Sequence, residues 1–258
     1  MRSFAAIAAL AATAAADNWA VIMAGSKGWT NYRHQSDAHH AALLMEQNGI
    51  SRDNVIHLSY DDVVNDPANL FPGQLFNSPV PIGAAEDEIN SANVYDADRI
   101  DYTGKDVTKE NFFKVLLGDE SAPGPVLKST ENDRVFIFYV DHGGVGLICT
   151  PENTSKNWIY ADELDATLKT MKDKGMFKEL VFYLETCESG SMFPKIEPDS
   201  GIYAMTASNA SQSSYGTYCG SDAYVAGKAI GSCLGDKFAT NWMTDTTNND
   251  ISAESLKT

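Results

Sequence analysis

The chain alternates short apolar runs with amphipathic stretches. Trp19 to Ala24 is continuously apolar and ends in Gly25-Ser26-Lys27-Gly28, the pattern of a buried strand feeding a loop, with Asn31 to Arg33 just beyond it. From Gln35 to Gln47 the apolar positions Ala38, Ala41, Ala42, Leu44 and Met45 recur at helical spacing and Gly49 follows as a stop, so Val55 to Tyr60 completes a predicted βαβ unit. Asp61 to Gly104, rich in proline, Asn and Asp and poor in periodicity, is expected to be a long surface excursion with short ordered pieces. Thr108 caps a predicted helix carrying Phe112, Phe113, Val115, Leu116 and Leu117 and ended by Gly118. Arg134 to Val140, dense in Val, Ile, Phe and Tyr, is the strongest strand and runs directly into Asp141-His142-Gly143-Gly144. Ala161 to Lys174 has Leu164, Leu168 and Met171 on one helical face. Leu180 to Leu184 is a further strand leading into Glu185-Thr186-Cys187-Glu188-Ser189-Gly190, Ile202 to Ala207 is another, and Phe238 to Met243 is a terminal helix or strand packed on the sheet. This alternation predicts one α/β domain, a mainly parallel central sheet with helices on both faces and a ligand site beyond the carboxyl ends of its strands. Asn31, His142 and Cys187 all fall at that edge.

The ends of the chain and its composition narrow the setting. Residues 1–16 run Met1, Arg2, an apolar stretch from Phe4 to Ala12, and Ala14-Ala15-Ala16, the outline of a signal peptide, leaving 17–258 as the mature domain. That stretch is too short to span a bilayer, so a secretory-pathway protein without a membrane anchor is expected. The formal net charge of −16 argues against nucleic acid as a partner and is compatible with an acidic compartment, where partial protonation relieves the repulsion. Asn153-Thr154-Ser155 and Asn209-Ala210-Ser211 are glycosylation sequons, and Asn248 to Asp250 read as a polar tail, with self-cleavage there as the alternative.

Four cysteines are too few for a disulfide scaffold in a chain of this length. Cys219 and Cys233 lie in polar, Gly/Ser-rich sequence and are plausible partners for one another. Cys149, in the apolar run from Val145, reads as a buried inert thiol, which leaves Cys187. A thiol is a nucleophile only as its thiolate, and a nearby histidine both favours that form and carries a proton for the departing amine. Cys187 and His142 have the right types at the right strand ends, and the amides of Gly143, Gly144 and Cys187 are oxyanion-hole candidates. From the residues alone a packed thiol and an ordinary loop histidine remain open. So does a metal site, although His34, His39 and His40 at these helical positions point in different directions.

The segments Trp19 to Gln35, Tyr139 to Gly144, Phe182 to Phe193 and Ser213 to Cys219 resemble, in order, the legumains, or asparaginyl endopeptidases. The resemblance implies a caspase-like fold and a cysteine endopeptidase cutting after Asn, and after Asp in acid. It implies Cys187 as nucleophile, His142 as proton-transfer partner, Asn31 beside them, and an oxyanion hole from Gly143 and Cys187. The pocket for the substrate side chain carries over onto Arg33, Glu185, Ser213 and Asp236: Arg33 would donate to the carboxamide oxygen, and Glu185 and Asp236 would accept from its NH2. It also implies a Cys219–Cys233 disulfide as in plant-type members, with peptide ligation as a further activity. No cofactor or metal is implied. Protein and peptide substrates with accessible Asn or Asp, cystatin-type inhibitors, a monomer, and a vacuolar, lysosome-like or secreted location complete the picture. Thr186 replaces the alanine usual before the nucleophile, and the family's C-terminal prodomain is expected to be absent. A GPI transamidase subunit shares the Cys/His pair but predicts a membrane tail, and an inactive homologue would not need the complete set of side chains found here.

Overall fold

A computed structural model describes residues 16–248. Residues 1–15 of the expected leader, together with Asn249 and Asp250, lie outside them. Five strands form the central sheet: β1 (Asn18–Ala24), β2 (Val55–Leu58), β3 (Arg134–Val140), β4 (Glu179–Glu185) and β5 (Ile202–Thr206). They lie in the order β2-β1-β3-β4-β5, every pair parallel. Helices α1 (Tyr32–Gln47), α2 (Glu86–Ala92), α3 (Lys109–Leu117), α4 (Ala161–Asp173) and α5 (Lys237–Asn248) connect or follow them. No helix among the described residues is long and apolar enough to cross a membrane.

The two-residue period of the strands sorts their side chains into two cores. Trp19, Val21 and Met23 of β1 join Ile137 and Tyr139 of β3 and Leu180, Phe182 and Leu184 of β4 under α3 and α4, which contribute Phe112, Val115, Leu116, Leu164, Leu168 and Met171. Ala20, Ile22 and Ala24, with Phe138 and Val140, face α1 and α5 through Ala38, Ala41, Ala42, Ala239 and Met243. Small residues on β1 and α1 let that helix lie close to the sheet. This is the caspase-like α/β arrangement expected, with helices on both faces. The caps also follow the sequence: Thr108 Oγ1 accepts from the Asn111 N–H, and Gly118 closes α3 in the left-handed conformation at φ 66°.

Two expectations need correction. Helix α1 starts at Tyr32, three residues before the apolar periodicity begins, after a short 3-10 turn from Trp29 to Asn31. The excursion from Asp61 to Gly104 is not merely superficial. Its Val63, Val64, Leu75, Phe76, Val80 and Val94 are buried with Tyr32 and with Ala223, Val225, Ile230 and Leu234, forming a third core that fastens the excursion to a loop distant in sequence. Phe238 to Met243, left open between helix and strand, is helical.

Candidate active site

Parallel pairing of β3 with β4 sets Val140 against Glu185, and the Asp141 N–H donates to the Glu185 carbonyl at 3.1 Å. The segments that follow, carrying His142 and Cys187, therefore leave the sheet side by side. Beyond Cys187 the chain turns sharply: Glu188 is held at φ 50°, a left-handed conformation unusual for a residue with a side chain, before a 3-10 turn from Ser189 to Met192. Cys187 is half-buried and its Sγ lies 3.8 Å from both the hydroxyl and the carbonyl of Ser214. The other free thiol, Cys149, is buried, and burial pushes it up to about 12.

His142 Nε2 donates to Asn31 Oδ1 at 2.8 Å, and Asn31 Nδ2 donates to the Lys27 carbonyl at 2.9 Å, which fixes the amide's orientation. Asn31 occupies the N-cap position of α1 but makes no capping bond, because its side chain is committed to His142 and Lys27. With Nε2 acting as donor, the neutral ring keeps its lone pair on Nδ1. Burial, and secondarily the Arg33 charge, lower the His142 pKa, favouring that neutral ring.

Gly143 and Gly144 begin a small antiparallel ribbon with Leu147–Ile148, which pairs in turn with Ile159–Tyr160. The Cys149 N–H donates to the His142 carbonyl, so Gly143 and Ile148 are a non-hydrogen-bonded pair. The ladder thus engages the N–H of Gly144 and turns that of Gly143 away from it. A Cβ on Gly143 would stand 2.7 Å from the Cys187 carbonyl oxygen and 2.8 Å from Thr186 Oγ1. Only glycine allows the two active segments to approach this closely.

Beside this pair lies a buried cluster of charge. Arg33 Nε donates to Asp236 Oδ1 at 2.9 Å, Asp37 Oδ2 accepts from the Asp236 N–H at 3.0 Å, and Glu185 Oε2 accepts from the Ala239 N–H at 2.8 Å. Burial and the neighbouring Asp236 push Glu185 up to about 8. Burial likewise raises Asp236 against the pull of Arg33, and raises Asp37. The three neighbouring carboxyl groups, of which only Asp236 pairs with the guanidinium, cannot all ionise together, leaving a cluster with both donors and acceptors.

Arg33, Glu185 and Asp236, three of the four residues that the resemblance assigns to the side-chain pocket, lie together. Ser213 is exposed, and it is Ser214 whose hydroxyl lies against Cys187 Sγ. Glu185 and Ser214 also line a cavity of about 280 Å³ with Tyr215, Lys237, Phe238 and Asn241. Sequence reading did not single out Asp37 or assign His34 a place in the site. His34 is buried beneath His142 with ring centroids 4.9 Å apart, its Nδ1 2.7 Å from Ser26 Oγ. The signal for both was helical spacing, since Arg33 and Asp37 are one turn apart, and it became readable only with α1 starting at Tyr32. His39 instead faces His57 at 4.7 Å and His40 bonds Asn77, so the three histidines of α1 diverge. A Cys219–Cys233 disulfide ties together the loop whose ends pair Gly216–Thr217 with Gly235–Asp236.

Residues 18–258 match the Peptidase C13 family along their whole extent. The chain belongs to that family. Among C13 relatives, it is 43% identical to the vacuolar-processing enzyme beta-isozyme of Arabidopsis thaliana over 93% of its own length and 48% of the relative's. It is 41% identical to the hemoglobinase of Schistosoma mansoni, over 93% of this chain and 52% of that one, and 40% identical to the legumain of Mus musculus, over 93% and 51%. This C13 chain spans about half the length of the relatives it matches.

Proposed function

We propose that this protein is a cysteine endopeptidase that cleaves protein and peptide bonds on the carboxyl side of Asn, and of Asp in acid. The observation that carries the reading is the convergence of His142, held by Asn31, with Cys187 at the ends of adjacent parallel strands, next to the Arg33–Asp236–Glu185 cluster. Family membership and relatives named legumain and vacuolar-processing enzyme support it.

The Cys187 thiol gives its proton to His142 Nδ1 while Asn31 holds the opposite ring nitrogen, and Sγ adds to the scissile carbonyl carbon. The amides of Gly143 and Cys187 receive the negative charge on the carbonyl oxygen. The tetrahedral adduct collapses to a thioester as His142 returns the proton to the leaving amine. Water, deprotonated by the same ring, then adds to the thioester and frees the acid and the thiol. A peptide amine taking the place of water would form a new peptide bond, the ligase activity.

In the pocket, Arg33 faces the side-chain carbonyl of Asn while Glu185, Asp236 and a serine, Ser213 by family resemblance and Ser214 by contact, face its NH2. An Asp side chain brings another negative charge to this cluster, so its cleavage requires protonation and rises as pH falls. Domain limits of 17–258 after a leader, a monomer, cystatin-type inhibitors and a vacuolar or lysosome-like location belong to the same proposal. Purified protein is incubated at pH 4 to 7 with fluorogenic peptides ending in Asn, Asp or Arg. The Asn peptide is cleaved throughout, the Asp peptide only toward pH 4, and Cys187→Ala abolishes both. Absence of Cys187-dependent cleavage after Asn overturns the reading. Mass spectrometry with an added amine acceptor near neutral pH tests ligation, and detection of hydrolysis alone rejects that part.

A further inference from the structure

His34, Asp141 and His142 each offer one ligand atom, all three lying within 4.8 Å of one another. Two imidazoles and a carboxylate are a donor set suited to a zinc-class divalent ion. His34 and Asp141 are buried, with His34 Nδ1 3.6 Å from Asp141 Oδ1, whereas His142 is exposed and provides the entrance. A second observation makes the grouping more than proximity. Asp141 is 4% exposed, yet neither carboxyl oxygen has a hydrogen-bond partner of normal geometry. Buried carboxyl groups are ordinarily satisfied by donors or by a cation.

We infer that His34, Asp141 and His142 form an inhibitory binding site for a zinc-class divalent metal ion. Tetrahedral coordination at ordinary zinc bond lengths of about 2.0–2.2 Å needs ligand atoms roughly 3.4 Å apart. The His34–Asp141 pair, at 3.6 Å, is already close to this, and closure of the exposed His142 ring by up to about 1.4 Å, with release of His34 Nδ1 from Ser26, completes a three-ligand face. Water entering past His142 takes the fourth position. No covalent step is involved. The ion occupies the ring that the proposed reaction uses for proton transfer, so binding and turnover exclude one another. This inhibitory consequence rests on the endopeptidase reading, whereas the binding does not.

The test separates the two. Cys187→Ser protein without a histidine tag is titrated with Zn2+ by calorimetry, and with Co2+ by visible and near-ultraviolet absorption, near neutral pH. One saturable site is expected, whose cobalt spectrum shows tetrahedral ligand-field bands without thiolate charge transfer. His142→Ala, an exposed change, and Asp141→Asn each weaken binding at least about tenfold, the loss that even outer-shell changes produce. If Asp141→Asn fails to fold, His142→Ala alone decides. No saturable binding, a thiolate spectrum, or affinity unchanged in His142→Ala overturns the inference. In wild-type protein, Zn2+ slows hydrolysis of the Asn peptide and a chelator restores it. If metal binds but wild-type protein cleaves nothing, the endopeptidase reading fails while the site stands.

Discussion

Gly143 shows how a single hydrogen atom sets the spacing of the site. A methyl group there meets the Cys187 carbonyl and the short, β-branched side chain of Thr186, neither of which yields easily. In Gly143→Ala the segment carrying His142 must move away from Cys187, and the Gly143 amide moves with it. The expected result is a fall in kcat of about 10²–10³, the cost of losing an oxyanion donor, with a much smaller change in KM, measured with the Asn peptide. A drop confined to KM would show that the amide plays no part in the chemical step. Ser213 and Ser214 offer a sharper comparison. Ser214→Ala removes the hydroxyl beside Sγ and is expected to lower kcat/KM about tenfold, near the upper worth of one hydrogen bond, while Ser213→Ala leaves it within about twofold. Equal effects would reject the assignment of Ser214 by contact. Cys187 and His142 stand out in the sequence because each follows an apolar strand run, whereas Asn31, seven residues beyond Ala24, takes its role from the family resemblance. Which of two adjacent serines turns inward depends on a loop with no period to read.

Among the elements, strands β1, β3 and β4 and helices α3 and α4 were legible because each is a run of one period closed by a recognisable stop. The start of α1 was not, because its first turn spends its residues on the site: Asn31 serves His142 where a cap would serve the helix, and Arg33 serves Asp236. The third core was missed for another reason. Its two halves, the excursion after Asp61 and the loop before Leu234, are far apart in sequence, and neither is periodic. That loop bears the Cys219–Cys233 bridge, which closes a span of 14 residues. Replacing both cysteines by serine in a Cys187→Ala background is expected to lower unfolding free energy by about 3 kcal/mol in urea denaturation, the entropy returned to an unfolded loop of that size. A loss below about 1 kcal/mol would mean that the third core alone fixes the loop.

For the molecule as a whole, buried titrating groups fall into two sets with opposite effects on stability. Glu185 and Asp141 are held up to about 8 and Asp236 is raised, all chiefly by burial. The unfolded chain releases these protons near pH 4, so the folded state keeps protons that the unfolded state has lost, and stability declines as pH rises from about 4 to about 8. His34 and His39 are held well below their ordinary value, and His57 is lowered to about 3, again by burial. Their contribution is complete above about 6.5 and is lost as pH falls toward about 3. Between about 6.5 and 8 only the carboxyl set acts, reinforced by the repulsion of a chain carrying −16. The melting temperature of Cys187→Ala protein is therefore expected to fall between pH 6.5 and 8, with its maximum in mild acid and a shallower alkaline decline in Glu185→Gln. A melting temperature that is flat or rising over that range would contradict this balance.

The opening turns of α1 hold Asn31, Arg33, His34 and Asp37 on one stiff rod. Anyone seeking to retarget this protein inherits that linkage. A library that varies Arg33 to admit a new side chain also disturbs the neighbours that steady the imidazole, so gains in preference will come with losses in turnover. The ribbon bearing Asp236 shares the linkage, since Asp236 bonds both Arg33 and Asp37, whereas Tyr215, Phe238 and Asn241 border the cavity beside Glu185 from outside the rod. Those positions are where new selectivity can be sought with the least disturbance of the imidazole.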